Sequence, residues 1–239
     1  YQRLNLDLDI GGEPTPKIET NMNPDRNFLN LAYGYSSNIT ALQLLTFYNA
    51  IANNGTMVKP LFCSEIKEGD KTIKKIEPEV IKEEICSNRT VKIIQSMLEG
   101  VVENGSGRRL SKTPYGIAGK TGTTNDVKDV WFIGFSKNLI AGVYLGFDNP
   151  KTLGKGAGSH MAARVFADFM KEALKNEKNQ PFPVPNGLTF MRVNRRSGAA
   201  AIDDPDGIII QEVFKAGQKP NPAPQVKQIE SKTVVGGVF

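Results

Sequence analysis

Gly119-Lys120-Thr121-Gly122-Thr123-Thr124, followed by Val130-Trp131-Phe132-Ile133-Gly134-Phe135 and then Gly142-Val143-Tyr144-Leu145-Gly146-Phe147, is the stretch whose reading decides the fold. It lies within three apolar runs, Tyr115–Thr123, Val130–Phe135 and Leu139–Phe147, the last two joined only by Ser136-Lys137-Asn138. Their β-branched and aromatic side chains suit a pleated surface, and connections this short make successive strands antiparallel neighbours. In the first strand an extended backbone sends Lys120 and Gly122 to one face and Thr121 and Thr123 to the other.

Working outward, three helices are predicted. Thr40 to Ala52 carries Leu44, Leu45, Phe47, Tyr48 and Ile51 at helical spacing, with Ser37 or Asn38 as cap and Asn53-Asn54-Gly55 as stop. Ser87 caps a second helix over Arg89–Val102, and a Gly-rich approach, Gly154 to Gly158, leads into a third over Met161–Leu174. Met57–Ile66 and Thr72–Ile76 read as a hairpin, and residues 1–30 as a loop broken by Gly11-Gly12, Pro14, Pro16 and Pro24. Helices packed on an antiparallel sheet define an α+β fold. The expected organisation is a main domain over residues 1–176 and an appendage over 177–215, with 216–239 as a mobile tail. The appendage joins a linker stiffened by Pro181, Pro183 and Pro185 to a hairpin of Leu188–Val193 with Ala199–Ile202.

Charge argues against several functions. The balance of 30 basic and 25 acidic residues leaves +5, but the basic residues are scattered among acids. They lack the interleaved aromatic platforms that bind single strands, so no nucleic-acid partner is expected. The charge-free run Asn138–Phe147 is half of the roughly 20 residues that a spanning helix needs. Because the sequence opens on Tyr1 without a basic or apolar leader, any export signal or membrane anchor is expected outside it. Cys63 and Cys86 lack zinc-site spacing and His160 is the single histidine, so neither a metal nor a cofactor is expected. Whether the two cysteines pair is left open.

The chemistry concentrates in Gly119–Thr124. Lys120 supplies positive potential, Thr121 and Thr123 supply hydroxyls, and Gly122 lets a substrate backbone approach closely. The backbone N–H of Thr123 is placed as an oxyanion donor. A lysine-threonine-glycine strand is one of the three signatures of penicillin-binding proteins and serine β-lactamases. The sequence resembles the C-terminal part of a penicillin-binding transpeptidase domain over roughly residues 1–174. Asp129–Phe135 and Gly142–Asp148 are similar to the two following strands of class A enzymes, whereas Tyr33-Gly34-Tyr35 through Asn54-Gly55 and Pro60 is closer to class B. The resemblance implies an extracytoplasmic acyltransferase of peptidoglycan synthesis working through a serine acyl-enzyme. It implies that Lys120, Thr121 and Thr123 bind the carboxylate of a D-Ala-D-Ala stem peptide or a β-lactam.

The family also requires a serine with lysine three residues on, and a Ser-x-Asn segment. The literal matches in this chain fit ordinary local structure better. Ser64-Glu65-Ile66-Lys67 lies in the predicted hairpin, where positions i and i+3 face opposite ways, and Ser136-Lys137-Asn138 makes a turn. Ser36-Ser37-Asn38 reads as a helix cap, with Ser36 and Asn38 kept as secondary Ser-x-Asn candidates. The nucleophile segment is therefore expected to be absent from this chain, which alone would be inactive and would need the N-terminal half of the domain as partner. Two rivals stand beside this reading: a non-catalytic module of the same fold, and a phosphate loop around Gly119-Lys120-Thr121. The latter fails its glycine spacing at Pro114. His160 reads as a capping or packing residue and Trp131 as core.

Overall fold

The computed structural model describes residues 6–8, 11–18, 29–31, 34–35, 37–154, 156–178, 180, 182, 187–201 and 208–222. By contacts the chain divides into two units, residues 1–185 and 186–239. The first contains β1 (Lys17–Ile18), β2 (Ser37–Asn38), α1 (Ala41–Ala52), β3 (Met57–Val58), β4 (Glu65–Glu68), β5 (Lys71–Lys75) and β6 (Val80–Lys82). It continues through α2 (Asn88–Asn104), β7 (Ala118–Thr123), β8 (Val130–Phe135), β9 (Ile140–Leu145) and α3 (Ser159–Ala173).

The expected meander is present as a three-stranded antiparallel sheet in the order β7-β8-β9. Its two faces carry different cores. Phe132 and Val130 join Phe166, Met170, Ala162 and Ala163 of α3, with Phe132 and Phe166 rings 4.7 Å apart. Phe135 and Ala118 instead meet Ile51 of α1 and Val91 of α2. Since α2 also places Val102 in the α3-side core, this helix contributes to both. The sheet is helix-covered as its composition predicts, because strands with two apolar faces must bury both.

Glycines permit the tight fit of β7 on β8. A Cβ on Gly119 would lie 2.7 Å from the Ile133 carbonyl oxygen and 2.8 Å from the Phe132 ring. Gly134, directly opposite Gly119, would press a Cβ to 2.7 Å from the same ring.

Two polar junctions hold α1. At its start Thr40, not Ser37 or Asn38, is the cap: its side chain accepts from Gln43 N–H while Gln43 Oε1 accepts from Thr40 N–H at 2.9 Å. This reciprocal box satisfies two N–H groups that the helix cannot satisfy internally. Fully buried Gln43 also donates to Glu13 at 2.7 Å, and Glu13 in turn accepts from Leu6 N–H, which fastens both residues to the helix. Burial pushes the Glu13 carboxyl upward, but hydrogen bonds from Gln43, Leu6, Leu8 and Asp7 outweigh it and leave the carboxyl below its ordinary value. At the other end buried Gln95 of α2 donates to the Ile51 carbonyl at 2.6 Å, satisfying a terminal acceptor.

Several expectations are corrected. Lys17–Ile18 is not loop but pairs with Ser37–Asn38, which removes those two residues from the capping role. The predicted strand Met57–Ile66 divides into β3, which pairs with β6, and β4, which pairs with β5. In the second unit β10 (Leu188–Asn194) pairs along its length with β11 (Ile209–Lys215), and the expected pairing with the 199–202 run survives at one end of β10, where Asn194 N–H donates to the Ala199 carbonyl at 2.9 Å and Ala201 N–H to the Arg192 carbonyl at 3.1 Å. Ala199 and Ala200 make only isolated bridges, to Asn221 and Val193. Residues 181 and 183–186 of the proline linker, residue 202 of the expected hairpin and 223–239 of the predicted tail lie outside the described residues. Among the described residues no helix is long and apolar enough to cross a membrane.

Two glycine-to-alanine changes should move stability in opposite directions. Gly119→Ala forces the strands apart and is expected to cost ~2 kcal/mol in urea unfolding. Gly100→Ala, inside α2 with nothing within 4 Å of its added methyl, should gain ~0.5–1 kcal/mol.

Candidate active-site strand

The register of β7 on β8 places each candidate residue. Lys120 faces Ile133 and Gly122 faces Trp131, whereas Thr121 faces Phe132 and Thr123 faces Val130. Directly opposed residues share a face, so the expected division of lysine and glycine from the two threonines is observed. Lys120 and Thr123 are exposed and Thr121 is half-buried.

Backbone direction follows from the same register. Thr124 N–H donates to the Asp129 carbonyl at 3.0 Å, so Thr124 points its backbone groups at β8. Antiparallel pairs alternate between hydrogen-bonded and non-hydrogen-bonded, and the β7–β8 register runs without a shift. Thr123 and Thr121 consequently turn their N–H groups away from β8, toward the outer edge of β7. Among the described residues no strand pairs with that edge. Lys120 Nζ lies there too, donating to the Thr121 carbonyl at 2.8 Å and approaching Thr121 Oγ1 at 3.4 Å. A cation, the Thr121 hydroxyl and outward N–H groups thus lie along one strand edge, donors suited to a carboxylate or a developing oxyanion.

The connection from β7 to β8 is held from several sides. Thr124 Oγ1 accepts from Asp129 N–H at 2.8 Å, and Asp129 Oδ1 accepts from Tyr144 OH at 2.8 Å. The hydrogen bond to Asp129 raises the Tyr144 hydroxyl above its ordinary pKa, with burial and the Asp129 and Asp148 charges adding to it. Tyr144 also packs on Trp131, ring centroids 4.7 Å apart, and Trp131 in turn covers Gly122. Gly146 completes the cluster, since a Cβ there would fall 2.3 Å from Tyr144 OH. Between Thr124 and Asp129, Asp126 and Val127 take φ of 60° and 51°. Left-handed backbone is costly for β-branched valine. Val127 is held there by its N–H to the Thr124 carbonyl at 3.1 Å and by Leu153 N–H to its own carbonyl at 2.9 Å. On the far side, Tyr35 OH donates to Asn125 Oδ1 at 3.2 Å, bringing the segment after Gly34 onto this connection.

The other candidates fall elsewhere. Asn38 is in β2, while Ser36 and Tyr33 lie outside the described residues. Ser64 precedes the exposed β4–β5 hairpin, and Lys67 is engaged by Glu65 at 2.7 Å. Ser136-Lys137-Asn138 forms the β8–β9 turn at the Ala118 end of the sheet, opposite from Thr123; Ser136 Oγ accepts from Leu139 N–H at 3.2 Å. The phosphate-loop rival is excluded because β7 leads into a single tight turn, Asn125–Val127, instead of a helix whose N-terminus could face phosphate. Exposed His160 opens α3, Trp131 is half-buried, and Cys63 and Cys86 are free thiols. Among the described residues no cluster of three metal-ligating side chains occurs.

Sequence reading missed Ser106, whose Oγ lies 2.8 Å from Thr121 Oγ1. The only signal was a serine between two glycines directly after a helix.

Residues 2–171 match the family described as the penicillin binding protein transpeptidase domain, and the chain belongs to that family. A penicillin-binding protein 1A of Rickettsia typhi is 36% identical, covering 74% of this chain and 25% of its own length. Its counterpart in Aquifex aeolicus is 34% identical, covering 81% and 26%. The chain thus spans about a quarter of the length of these curated relatives. The crystal structure of penicillin-binding protein 1A from Haemophilus influenzae superposes with a TM-score of 0.64 at 24% identity, covering 80% of this chain and 34% of that one. Penicillin-binding protein 2B of Streptococcus pneumoniae strain 5204 gives 0.53 at 21%, covering 68% and 28%. These superpositions show the α+β fold of penicillin-binding transpeptidase domains.

One carboxyl on α2 gives a pH test. Burial and the Glu103 carboxylate one turn on push Glu99 from 4.5 to about 7. Between those values the folded chain holds more protons than the unfolded one, so stability falls as pH rises through that window and levels above it. Glu99→Gln should remove this slope. It is expected to add ~1 kcal/mol at pH 8, a figure reduced because the group is half-exposed and screened, and nothing near pH 4. Urea midpoints across pH check this.

Proposed function

We propose that this chain supplies the substrate-carboxylate and oxyanion strand of a D,D-transpeptidase that cross-links peptidoglycan. Its ligands would be D-Ala-D-Ala stem peptides and β-lactams. The observation that carries the reading is the outer edge of β7, toward which the Thr123 N–H turns and where Lys120 Nζ lies against the Thr121 carbonyl and hydroxyl. In this role Lys120 and the two hydroxyls hold the carboxylate, Gly122 lets the peptide backbone approach, and Thr123 N–H receives the carbonyl oxygen as it gains charge. The donors are aimed before reaction, so little reorganisation is needed as the charge develops.

The serine nucleophile and its lysine come, in this reading, from the N-terminal half of the domain. The literal Ser-x-x-K match, Ser64 to Lys67, supports this by standing at an exposed hairpin with its lysine engaged by Glu65. An apolar stripe supports such a partner: Met161, Val165 and Phe169, four residues apart on α3, are 40%, 47% and 49% exposed. Among the described residues the outer edge of β9 is also unpaired, and an open strand edge beside an apolar helix face invites a further strand and helix. Membership of the family supports action on the extracytoplasmic face of the membrane, with any anchor in another part of the protein.

A fluorescent penicillin tests these roles. The chain alone should take no covalent label; mixed with a polypeptide carrying the family's Ser-x-x-K and Ser-x-Asn segments, it should complete an acylating site. Lys120→Ala is expected to slow that acylation at least tenfold, about the worth of one charge-assisted hydrogen bond. Labelling of the chain alone would sink the absent-nucleophile reading. Full-rate acylation with Lys120→Ala would remove the lysine from the site. A reconstituted pair that never acylates would favour a non-catalytic module of the same fold.

A further inference from the structure

The loop between α2 and the following 3₁₀ turn holds a hydroxyl against the strand just described. Gly105 and Gly107 both donate their N–H groups to the Val101 carbonyl, at 3.1 and 3.0 Å, folding the loop onto the end of the helix. Neither position has room for a side chain: a Cβ on Gly105 would lie 2.8 Å from the Val101 carbonyl oxygen, and one on Gly107 would lie 3.2 Å from the same atom. Ser106, exposed between them, is therefore carried on a fixed backbone, with Oγ 2.8 Å from Thr121 Oγ1.

Proton counting gives this contact a direction. A threonine hydroxyl has one proton to donate and two lone pairs to accept with. Thr121 Oγ1 already faces Lys120 Nζ at 3.4 Å, a group that only donates. If Thr121 spent its proton on Ser106, none would remain for an anion at the β7 edge. If Ser106 donates instead, Thr121 accepts from both neighbours and its proton is free to point outward. An anion at the edge favours the second arrangement, because charge-assisted hydrogen bonds are the stronger ones.

We propose that Ser106 is a positioning residue for anion recognition: it donates to Thr121 Oγ1 and thereby commits the Thr121 proton to the bound carboxylate. The inference rests on the proposed carboxylate site and adds to it a residue that itself touches no substrate. Because Ser106 is exposed and its loop is set by the flanking glycines, removing its hydroxyl leaves the core untouched.

The test titrates the 239-residue chain with N-acetyl-D-alanyl-D-alanine, following the amide resonances of Lys120–Thr124 by NMR. Ser106→Ala should weaken binding about fivefold, the worth of one net hydrogen bond, and Ser106→Thr should restore it. Thr121→Val should weaken binding as well, and adding Ser106→Ala to that variant should cost nothing more, as two groups acting through one contact require. A purely structural serine would show its full loss again in the Thr121→Val background, which would overturn the inference. Equal affinity for the unaltered chain and Ser106→Ala would overturn it too while leaving the carboxylate site intact. Absence of any peptide-dependent shift in the unaltered chain would overturn both.

Discussion

The close pass of β7 over β8 is the constraint on which the rest depends. Gly119 and Gly134 face each other with the Phe132 ring against both, and that ring continues into Phe166 of α3. Strand separation, core packing and the seat of α3 are therefore set at one place. Interiors are packed too tightly for such a contact to loosen without moving its neighbours. The residues of the candidate site begin at the very next position, Lys120. Their geometry follows from a contact on the face that Gly119 shares with Thr121 and Thr123.

Regular elements with strong periodicity were legible in the sequence. The three long helices and the β7-β8-β9 meander lie where apolar spacing puts them, with ends shifted by a few residues. Short pairings were not, because two- or three-residue strands such as β1, β2, β3 and β6 carry no period to read. The α1 cap is legible only through its partner: Ser37, Asn38 and Thr40 all have capping side chains, and only Thr40 has a glutamine three residues on. In the second unit the nearer apolar run keeps only the short contact of Ala199–Ala201 with the end of β10, and the full ladder goes to the stronger β-pattern of Ile209–Lys215. Proximity in sequence favours the first, and the chain obeys propensity.

The candidate site was legible as composition, not as direction. That lysine, threonine and glycine suit an anion follows from their chemistry, whereas which N–H groups leave the sheet depends on register, whose phase shows in the hydrogen bond from Thr124 N–H to the Asp129 carbonyl. Ser106 and Tyr35 had no sequence signal strong enough to assign them. They reach the site through contacts spanning 15 and 90 residues, and only packing brings such positions together.

The meander has a further consequence for how the chain acquires its shape. Its strands follow one another through a six-residue and a four-residue connection, so their pairing requires little loop closure, whereas Tyr35 reaches Asn125 across a separation of 90 residues. Closure entropy and folding time both rise with such separation. The edge that presents Lys120, Thr121 and Thr123 is thus built from sequence-local pairings, and its hydrogen-bonding pattern is set by a stretch of fewer than thirty residues.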